Sequence, residues 1–276
     1  MLFKIKSKTF LFDEFPLIVG VLNITPDSFY DGGKYETQNQ ILKRVDKMIE
    51  EGADIIDIGG ESTRPYSKRI SLDDERKRLL PALKKIKKNF NIPISIDTMK
   101  SKIADICLKE GAEVINDATG FLYDKNIPKI VAKHNAAVII NHTPSLPDDM
   151  QMKCNYKNLT KEISLFFKSK IKICRDLGVD KKSIILDPGI GFGKETAHNI
   201  DLIKNIKDFD SLKMPLMYGV SNKSFIGTIL KIKNPRKRVT GSVIAAYVCI
   251  QNGAKLIRTH NIKETKEMIM MWRKLN

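Results

Sequence analysis

Eight short runs of apolar, mostly β-branched residues recur along this chain of 276 residues, and amphipathic stretches separate them. Continuous apolar runs of this length are typical of strands that are buried on both faces of a parallel sheet. The runs are PLIVGVLNI, ADIIDI, IPISID, AEVIND, AAVIINH, SIILDP, MPLMYGV and AKLIRTH. Eight strand–helix alternations in a chain of this length predict a (β/α)8 TIM barrel, which typically needs about 250 residues.

The stretches between the runs predict helices, and several of them end in a glycine just before the next strand. Glycine is the common residue after a helix end, because it adopts the left-handed conformation without strain. These glycines are Gly52, Gly111, Gly178 and Gly253. A doubly wound open sheet is the alternative, but no glycine-rich nucleotide turn follows the first strand.

The chain contains no linker or low-complexity segment between these elements. We therefore expect a single domain over 1–276, with a short N-terminal hairpin over 1–15 and the barrel over 16–276. The acidic pair Asp13 and Glu14 interrupts the apolar N-terminal stretch, which argues against a signal peptide. No apolar run reaches the 18 to 20 residues, roughly, that a membrane span needs.

The net charge of +16 is the strongest compositional bias and permits a nucleic-acid partner. The basic residues are, however, spread along the whole chain without interleaved aromatic residues or a DNA- or RNA-binding motif. We expect a solvated basic surface and no specific nucleic-acid partner. The four cysteines are far apart and form no CxxC pair, which favours a reducing cytoplasm over a disulfide framework or a zinc site.

Polar residues follow almost every predicted strand. They are Asn23, Asp57, Asp97, Asn116, Asp117, Asn141, His142, Asp187, Ser221 to Lys223, Arg258 and His260. The carboxyl ends of the strands form the catalytic face of a TIM barrel. A single polar residue there could cap the following helix, but so many in register predict an active site.

Three of these residues, Asp97, Asn116 and Asp187, have the chemistry to bind the edge of a flat heterocycle. Carboxylates accept hydrogen bonds from amino and ring N–H groups, and an amide both donates and accepts. A metal site on Asp97 and Asp187 is a competing interpretation, although no histidine or third carboxylate lies at a helpful spacing. Helix capping is the alternative for Asp97 before Thr98.

The last strand of a closed barrel lies beside the first, which brings Arg258 and His260 near Asn23. A guanidinium and an imidazole beside an amide predict an anion site, since Arg pairs with phosphate oxygens. The run LDPGIGFGKE matches neither a Walker A loop nor a dinucleotide fingerprint. We expect it to present Phe192 as an apolar wall, with Lys223 and Ser224 reaching a substrate from the GVSNKS run.

Taken together, these motifs resemble the dihydropteroate synthase family along nearly the whole chain. The resemblance is carried by LNITPDSFYDGG, ADIIDIGGESTRP, SIDTMK, VINDATG, LDPGIGFGK, GVSNKSFIG and RTHNI, in the expected order and spacing. The chain departs from the family pattern at Asn222, where Arg is usual, at Tyr66, where Gly is usual, and at Asn261, where Asp is common. A pterin-dependent methyltransferase is the nearest alternative, but it needs no aminobenzoate or pyrophosphate site.

The resemblance implies that hydroxymethyl-dihydropterin pyrophosphate and p-aminobenzoate condense to dihydropteroate and pyrophosphate, with Mg²⁺ and in a homodimer. It assigns the pterin to Asp97, Asn116, Asp187 and Lys223. It assigns the pyrophosphate to Asn23, Thr63, Arg64, Arg258 and His260, with Asn23 also holding the metal. It assigns p-aminobenzoate to Phe29, Asp31, Thr63, Pro65, Phe192, Ser221 and Ser224. The residues expected to carry the chemistry are Asn23, Asp97, Lys223, Arg258 and His260.

The loop Asn23–Gly33 divides into two parts in this interpretation. Asn23 belongs to the strand end, whereas Asp27 to Gly33 would form a mobile gate with two glycines as hinges. Phe29 and Asp31 would then reach the substrates only after the gate closes.

Overall fold

The computed structural model describes residues 1–12, 15–24, 34–63 and 66–275. A two-stranded antiparallel hairpin, β1 (Leu2–Lys4) and β2 (Thr9–Leu11), opens the chain, as expected. Phe29, Asp31, Arg64 and Pro65, and with them the whole predicted gate from Asp27 to Gly33, lie outside the described residues.

Eight parallel strands follow the hairpin and form one sheet in the order β8-β7-β6-β5-β4-β3-β10-β9. Their bounds are β3 (Leu17–Asn23), β4 (Ile55–Gly59), β5 (Ile94–Asp97), β6 (Val114–Asp117), β7 (Ala137–Asn141), β8 (Ile184–Asp187), β9 (Met217–Tyr218) and β10 (Leu256–Thr259). A bridge between Leu186 and Leu216 joins the two outer strands and closes the sheet. The predicted TIM barrel is confirmed. Seven of the eight strands lie within the apolar runs identified in the sequence, and β4 extends one residue beyond its run, to Gly59.

Helices connect the strands and cover the outside of the barrel. Within the described residues they are α1 (Lys34–Glu50), α2 (Leu72–Asn89), α3 (Ser101–Lys109), α4 (Ile127–Lys133), α5 (Leu159–Asp176), α6 (Thr196–Lys204), α7 (Ser224–Leu230), α8 (Val239–Gln251) and α9 (Ile262–Leu275). The four glycines predicted to follow helix ends all have positive φ, between 88° and 116°. In the described part of the chain, no helix has both the length and the apolar character that crossing a membrane requires.

The apolar core is divided into two clusters by the barrel wall. The larger cluster joins the outward side chains of the strands to the helices, with Leu83 and Phe167 among its fully buried members. The smaller one fills the barrel interior, where Val19 and Ile139 pack with Phe3 and the rest of the hairpin. The hairpin therefore closes the amino-terminal end of the barrel, and polar side chains occupy the interior at the carboxyl-terminal end.

Candidate active site

Strand register places the predicted site residues side by side at the carboxyl end of the barrel. Asn23 pairs with Gly59, Gly59 with Asp97, and Asp97 with Asn116 on four successive strands. Asn141 and Asp187 pair in the same way on β7 and β8. Because side chains alternate between the two faces of a strand, residues in register point to the same side of the wall.

These side chains surround a pocket of about 360 Å³ that is partly open to solvent. It is lined by Thr63, Asp97, Asn116, Ala118, Asn141, Asp187, Ile190, Phe192, Gly219, Lys223 and Arg258. All four residues assigned to the pterin by resemblance are in this set, together with Thr63, Phe192 and Arg258. The mixture of apolar and polar walls is typical of a small-molecule site.

Arg258 holds two of the carboxylates on the pocket floor. Its Nε donates to Asp57 Oδ2 at 2.7 Å and its Nη2 donates to Asp97 Oδ2 at 2.9 Å. Asn116 Nδ2 donates to the same Asp57 oxygen at 2.9 Å. The Asn116 amide nitrogen thus donates to Asp57 below the pocket, and the amide oxygen remains as the acceptor for a ligand.

Asp97 has the most perturbed acidity in the pocket. Burial, together with the nearby carboxylates of Asp57 and Glu75, raises its pKa to about 7 against the attraction of Arg258. Its Oδ1 is buried and accepts no hydrogen bond from any described residue. A buried acceptor without a partner is costly, so this oxygen is suited to an N–H donor of a ligand.

Asp187, Lys223 and Phe192 all line the pocket. Burial raises the pKa of Asp187, while the Gly189 N–H, which donates to Oδ1 at 2.8 Å, and Lys223 oppose that shift. Gly189 has φ of 75°, and a Cβ there would collide with the carbonyl of His142. Lys223 Nζ lies 4.3 Å from the centre of the Phe192 ring, which keeps the cation against the pocket wall.

A second lysine, Lys194, is buried behind this wall. Its Nζ donates to the Phe192 carbonyl at 2.9 Å and to the His142 carbonyl at 3.3 Å, and lies 3.1 Å from His142 Nδ1. Burial lowers its pKa to about 7, although Asp187 acts in the opposite direction. Lys194 therefore joins the loops after β7 and β8 and fixes the backbone that carries Phe192.

Asn23 lies at the mouth of the barrel, next to the carboxylate of Asp97. Its Oδ1 is 3.5 Å from the position that a Cβ on Gly59 would occupy, and Asp97 Cβ is 3.6 Å from the same point. Glycine at position 59 thus leaves open the space between the amide and the carboxylate. Among the described residues no cluster of three His, Cys, Asp or Glu side chains could hold a metal ion.

The residues that line this pocket do not include the predicted residues Asn23, Ser221, Ser224 and His260. Ser221 Oγ lies 3.2 Å from His260 Nδ1 and also accepts from the His260 backbone N–H at 3.2 Å. Ser224 is exposed at the start of α7. Ser221 and His260 therefore hydrogen-bond to each other at the end of β10, beside the pocket.

Asp57 is the functional residue to which sequence reasoning gave no role. It is fully buried and is bonded to both Asn116 and Arg258. Strand alternation offered a signal, because Asp57 lies two residues before Gly59 and so on the same face of β4. Its partners come from β6 and β10, which lie far away in sequence.

Comparison with known proteins agrees with this geometry. The sequence profile described as "Pterin binding enzyme" matches residues 19–260. A dihydropteroate synthase of Clostridium beijerinckii is 40% identical over 269 residues, covering 97% of each chain. The structure of the Clostridium difficile dihydropteroate synthase, determined in the presence of pteroic acid, superposes with a TM-score of 0.91 at 37% identity and covers 96% of this chain and 98% of its own. The structure of the Xanthomonas albilineans dihydropteroate synthase with 4-aminobenzoic acid superposes with a TM-score of 0.92 at 32% identity. It covers 99% of this chain and 97% of its own.

The chain belongs to the dihydropteroate synthase family. It is accordingly a transferase of folate biosynthesis, as the sequence motifs predicted.

Two of the three departures of this chain from the family pattern, Tyr66 and Asn222, fall at backbone positions with positive φ. Tyr66, where the dihydropteroate synthase family usually has Gly, has φ of 62° and is 68% exposed. Asn222, where Arg is usual, has φ of 59°, a conformation that asparagine tolerates better than most residues. Its backbone N–H donates to Ser242 Oγ at 2.9 Å, which anchors the turn that leads to Lys223.

Proposed function

We propose that this chain condenses hydroxymethyl-dihydropterin pyrophosphate with p-aminobenzoate, by dissociative substitution at the pterin methylene carbon. The observation that carries the proposal is the set of buried acceptors on the pocket floor. Asp97 Oδ1 has no partner among the described residues, the Asn116 oxygen is left as an acceptor, and Asp187 lies opposite. A pterin ring carries an amino group and ring N–H groups as donors along one edge, and these acceptors match them.

The charges of the pocket favour a cationic intermediate. With all groups ionised, the carboxylates of Asp57, Asp97 and Asp187 exceed the cations Arg258 and Lys223 by one charge. When the C–O bond to pyrophosphate breaks, its electron pair leaves with the pyrophosphate and the pterin methylene becomes electron-poor. Carboxylates that are already oriented stabilise that charge without reorganising.

The aminobenzoate nitrogen then attacks the methylene carbon. Its lone pair forms the new C–N bond, and the nitrogen releases a proton to water. An aryl amine is nucleophilic without deprotonation, so this step needs no strong general base. Thr63 and Phe192 line the pocket on the side assigned to the aminobenzoate, with Ser221 and Ser224 nearby.

Arg258 is the proposed link between the two halves of the substrate. Two of its nitrogens bind Asp57 and Asp97, yet 21% of its side chain remains exposed. The remaining N–H groups are thus available to pyrophosphate oxygens, for which guanidinium geometry is well suited. His260, supported by Ser221, would contact the same group.

A bound Mg²⁺ is part of the proposal, with Asn23 as its ligand from the protein. An amide oxygen suits a hard cation, and Mg²⁺ at phosphate sites takes few protein ligands and several from the substrate. The open space beside Gly59 fits such an arrangement. When bound, the ion would neutralise charge on the departing pyrophosphate.

We further propose a homodimer in a reducing cytoplasm. Apolar side chains are exposed on the adjacent C-terminal helices, including Ile244 and Tyr247 on α8 and Met270 and Met271 on α9. Such a surface on adjacent helices is typical of a protein interface. All four cysteines are free thiols, and three of them are buried.

Product formation tests the activity directly. The full chain with dihydropterin pyrophosphate, p-aminobenzoate and Mg²⁺ should yield dihydropteroate and pyrophosphate in equal amounts, measured by liquid chromatography and mass spectrometry. Folded protein that forms no dihydropteroate would refute the proposal. Methyl transfer from methyltetrahydrofolate would instead favour the methyltransferase alternative.

A further inference from the structure

A buried charge cluster lies beside the pocket but does not line it. Lys100 Nζ is 2.5 Å from Glu61 Oε2 and 2.6 Å from Glu75 Oε2. Thr98 Oγ1 donates to the second oxygen of Glu75 at 2.6 Å. The three charged side chains are at most 9% exposed, so this is an interior network rather than a surface ion pair.

Such a network is expensive to bury. Burial raises the pKa of Glu75, while its hydrogen bonds to Lys100 and Thr98 oppose that shift. Burial lowers the pKa of Lys100, but Glu61 and Glu75 outweigh it and leave that pKa above its ordinary value. Apolar residues of similar volume are often at least as stabilising as buried ion pairs. The role of this cluster therefore lies in the geometry that it imposes.

Glu61 controls the segment that follows β4. Its Oε1 accepts from the Ile70 N–H at 3.0 Å while its Oε2 binds Lys100, so one carboxylate fastens both ends of 61–70. Arg78 on α2 donates to the Gly60 carbonyl at 2.9 Å and holds the start of the same segment. Thr63, which lines the pocket, lies two residues beyond Glu61.

The other end of the cluster is joined to the strand that carries Asp97. Thr98 follows Asp97 directly, and its backbone N–H donates to the Asn116 carbonyl at 3.1 Å. Asp97 is also held by Arg258 and by its register with Gly59 and Asn116. Asp97 thus has supports independent of the cluster. Glu61 binds near its own end and at Ile70, and between them the Tyr66 N–H donates to the Pro147 carbonyl at 3.1 Å and Arg69 pairs with Asp148 at 3.0 Å. Thr63, close to Glu61, lies outside these two further contacts.

We propose that Glu61, Lys100 and Glu75 are positioning residues that set Thr63 relative to Asp97 and so determine how the second substrate fits. This inference rests on the proposed function for its kinetic consequence. Loss of the cluster should remove the anchor that Lys100 gives Glu61, so that Thr63 and Ile70 become less well held. Asp97 and Asn116, which bind the pterin in this proposal, should stay in place. The KM for p-aminobenzoate should therefore rise while pterin affinity changes little.

The test compares Lys100→Met with Lys109→Met in the full chain. Lys109 pairs with Asp105 on the surface of α3 and is 57% exposed, so its substitution controls for the loss of one lysine. We expect the KM for p-aminobenzoate to rise about tenfold or more in Lys100→Met, with the Kd for hydroxymethyl-dihydropterin, by calorimetry, within about threefold of the wild type. Lys100→Arg should recover part of the loss.

Hydrogen exchange gives a readout that does not depend on activity. The Ile70 amide should exchange faster in Lys100→Met than in the wild type or Lys109→Met, while the amides of 94–97 stay unchanged. Unchanged exchange at Ile70, or equal losses of affinity for both substrates, would overturn the inference. Should Lys100→Met fail to fold, Glu61→Gln, which keeps an acceptor for the Ile70 N–H, provides the same comparison. A wild type that forms no dihydropteroate would count against the proposed function, and exchange at Ile70 would still decide the positioning role.

Discussion

Replacing Asp57 with Asn tests whether this buried carboxylate orients the pocket floor. The substitution keeps the shape and removes the charge. Asp57 Oδ2 accepts from both Arg258 and Asn116, so the amide oxygen of the variant must stay at that position. The new NH2 group then replaces Oδ1, which is buried and has no partner among the described residues.

The magnitude follows from these two changes. The charge-assisted bond to Arg258 weakens to a neutral one, and the buried NH2 takes the place of an oxygen that had no partner among the described residues either, so the net cost is about 1–3 kcal/mol. Since Arg258 keeps Asp97, we expect the free energy of unfolding to fall by this amount. The hydrogen bond that orients the Asn116 amide also loses its charge assistance, and a weakening of about 1.4 kcal/mol should reduce pterin affinity about tenfold.

Urea unfolding and calorimetric titration with hydroxymethyl-dihydropterin measure the two effects. Ser95→Ala is the matched control, because Ser95 is the register neighbour of Asp57 and its buried Oγ has no partner among the described residues. We expect the control to leave pterin affinity unchanged. Pterin affinity that is also unchanged in Asp57→Asn would refute the orienting role, whatever happens to stability.

Three further predictions follow from the charged groups of the site. Asp97→Asn should abolish turnover through loss of pterin recognition, and near-normal kinetics would mean that the pocket is misassigned. Because the pKa of Asp97 is raised to about 7, lowering the pH from 8 to 6 protonates it, so pterin affinity should fall over this range in the wild type and stay flat in Asp97→Asn. Arg258→Ala should weaken binding of the pyrophosphate substrate far more than binding of a pterin without pyrophosphate; equal losses would contradict its role. The pKa of Lys194 is lowered to about 7 in the folded chain and has its ordinary value in the unfolded chain. Between these two pKa values the unfolded state therefore binds one proton more than the folded state. The free energy of unfolding should accordingly rise as the pH is raised from 7 towards 10. Lys194→Met should remove this rise in urea unfolding series, and an identical pH dependence in both proteins would exclude a buried, titrating Lys194.

The fold was predictable because its constraints are local in sequence. A strand of a parallel barrel is buried on both faces and needs a continuous apolar run, and each helix end needs a residue that tolerates positive φ. Runs such as ADIIDI and glycines such as Gly178 satisfy these needs where they stand. Closure of the barrel then brought Arg258 near the first strands, as the sequence had indicated.

The contacts within the site were less predictable, because they depend on which side chains meet across strands. Arg258 was expected at the pyrophosphate, yet in this structure it binds Asp57 and Asp97 on the pterin side. The link from Lys100 to Glu61 spans 39 residues and leaves no pattern in a single sequence. Ser221 was expected at the aminobenzoate, and its hydroxyl lies against His260.

A single-turnover comparison of the wild type with Asp97→Asn tests most directly that the reaction takes place in this pocket. Enzyme in excess over dihydropterin pyrophosphate, with Mg²⁺ and saturating p-aminobenzoate, removes product release from the measurement. We expect rapid formation of one dihydropteroate per pterin in the wild type and none on the same timescale in Asp97→Asn. Equal single-turnover rates in the two proteins would contradict it.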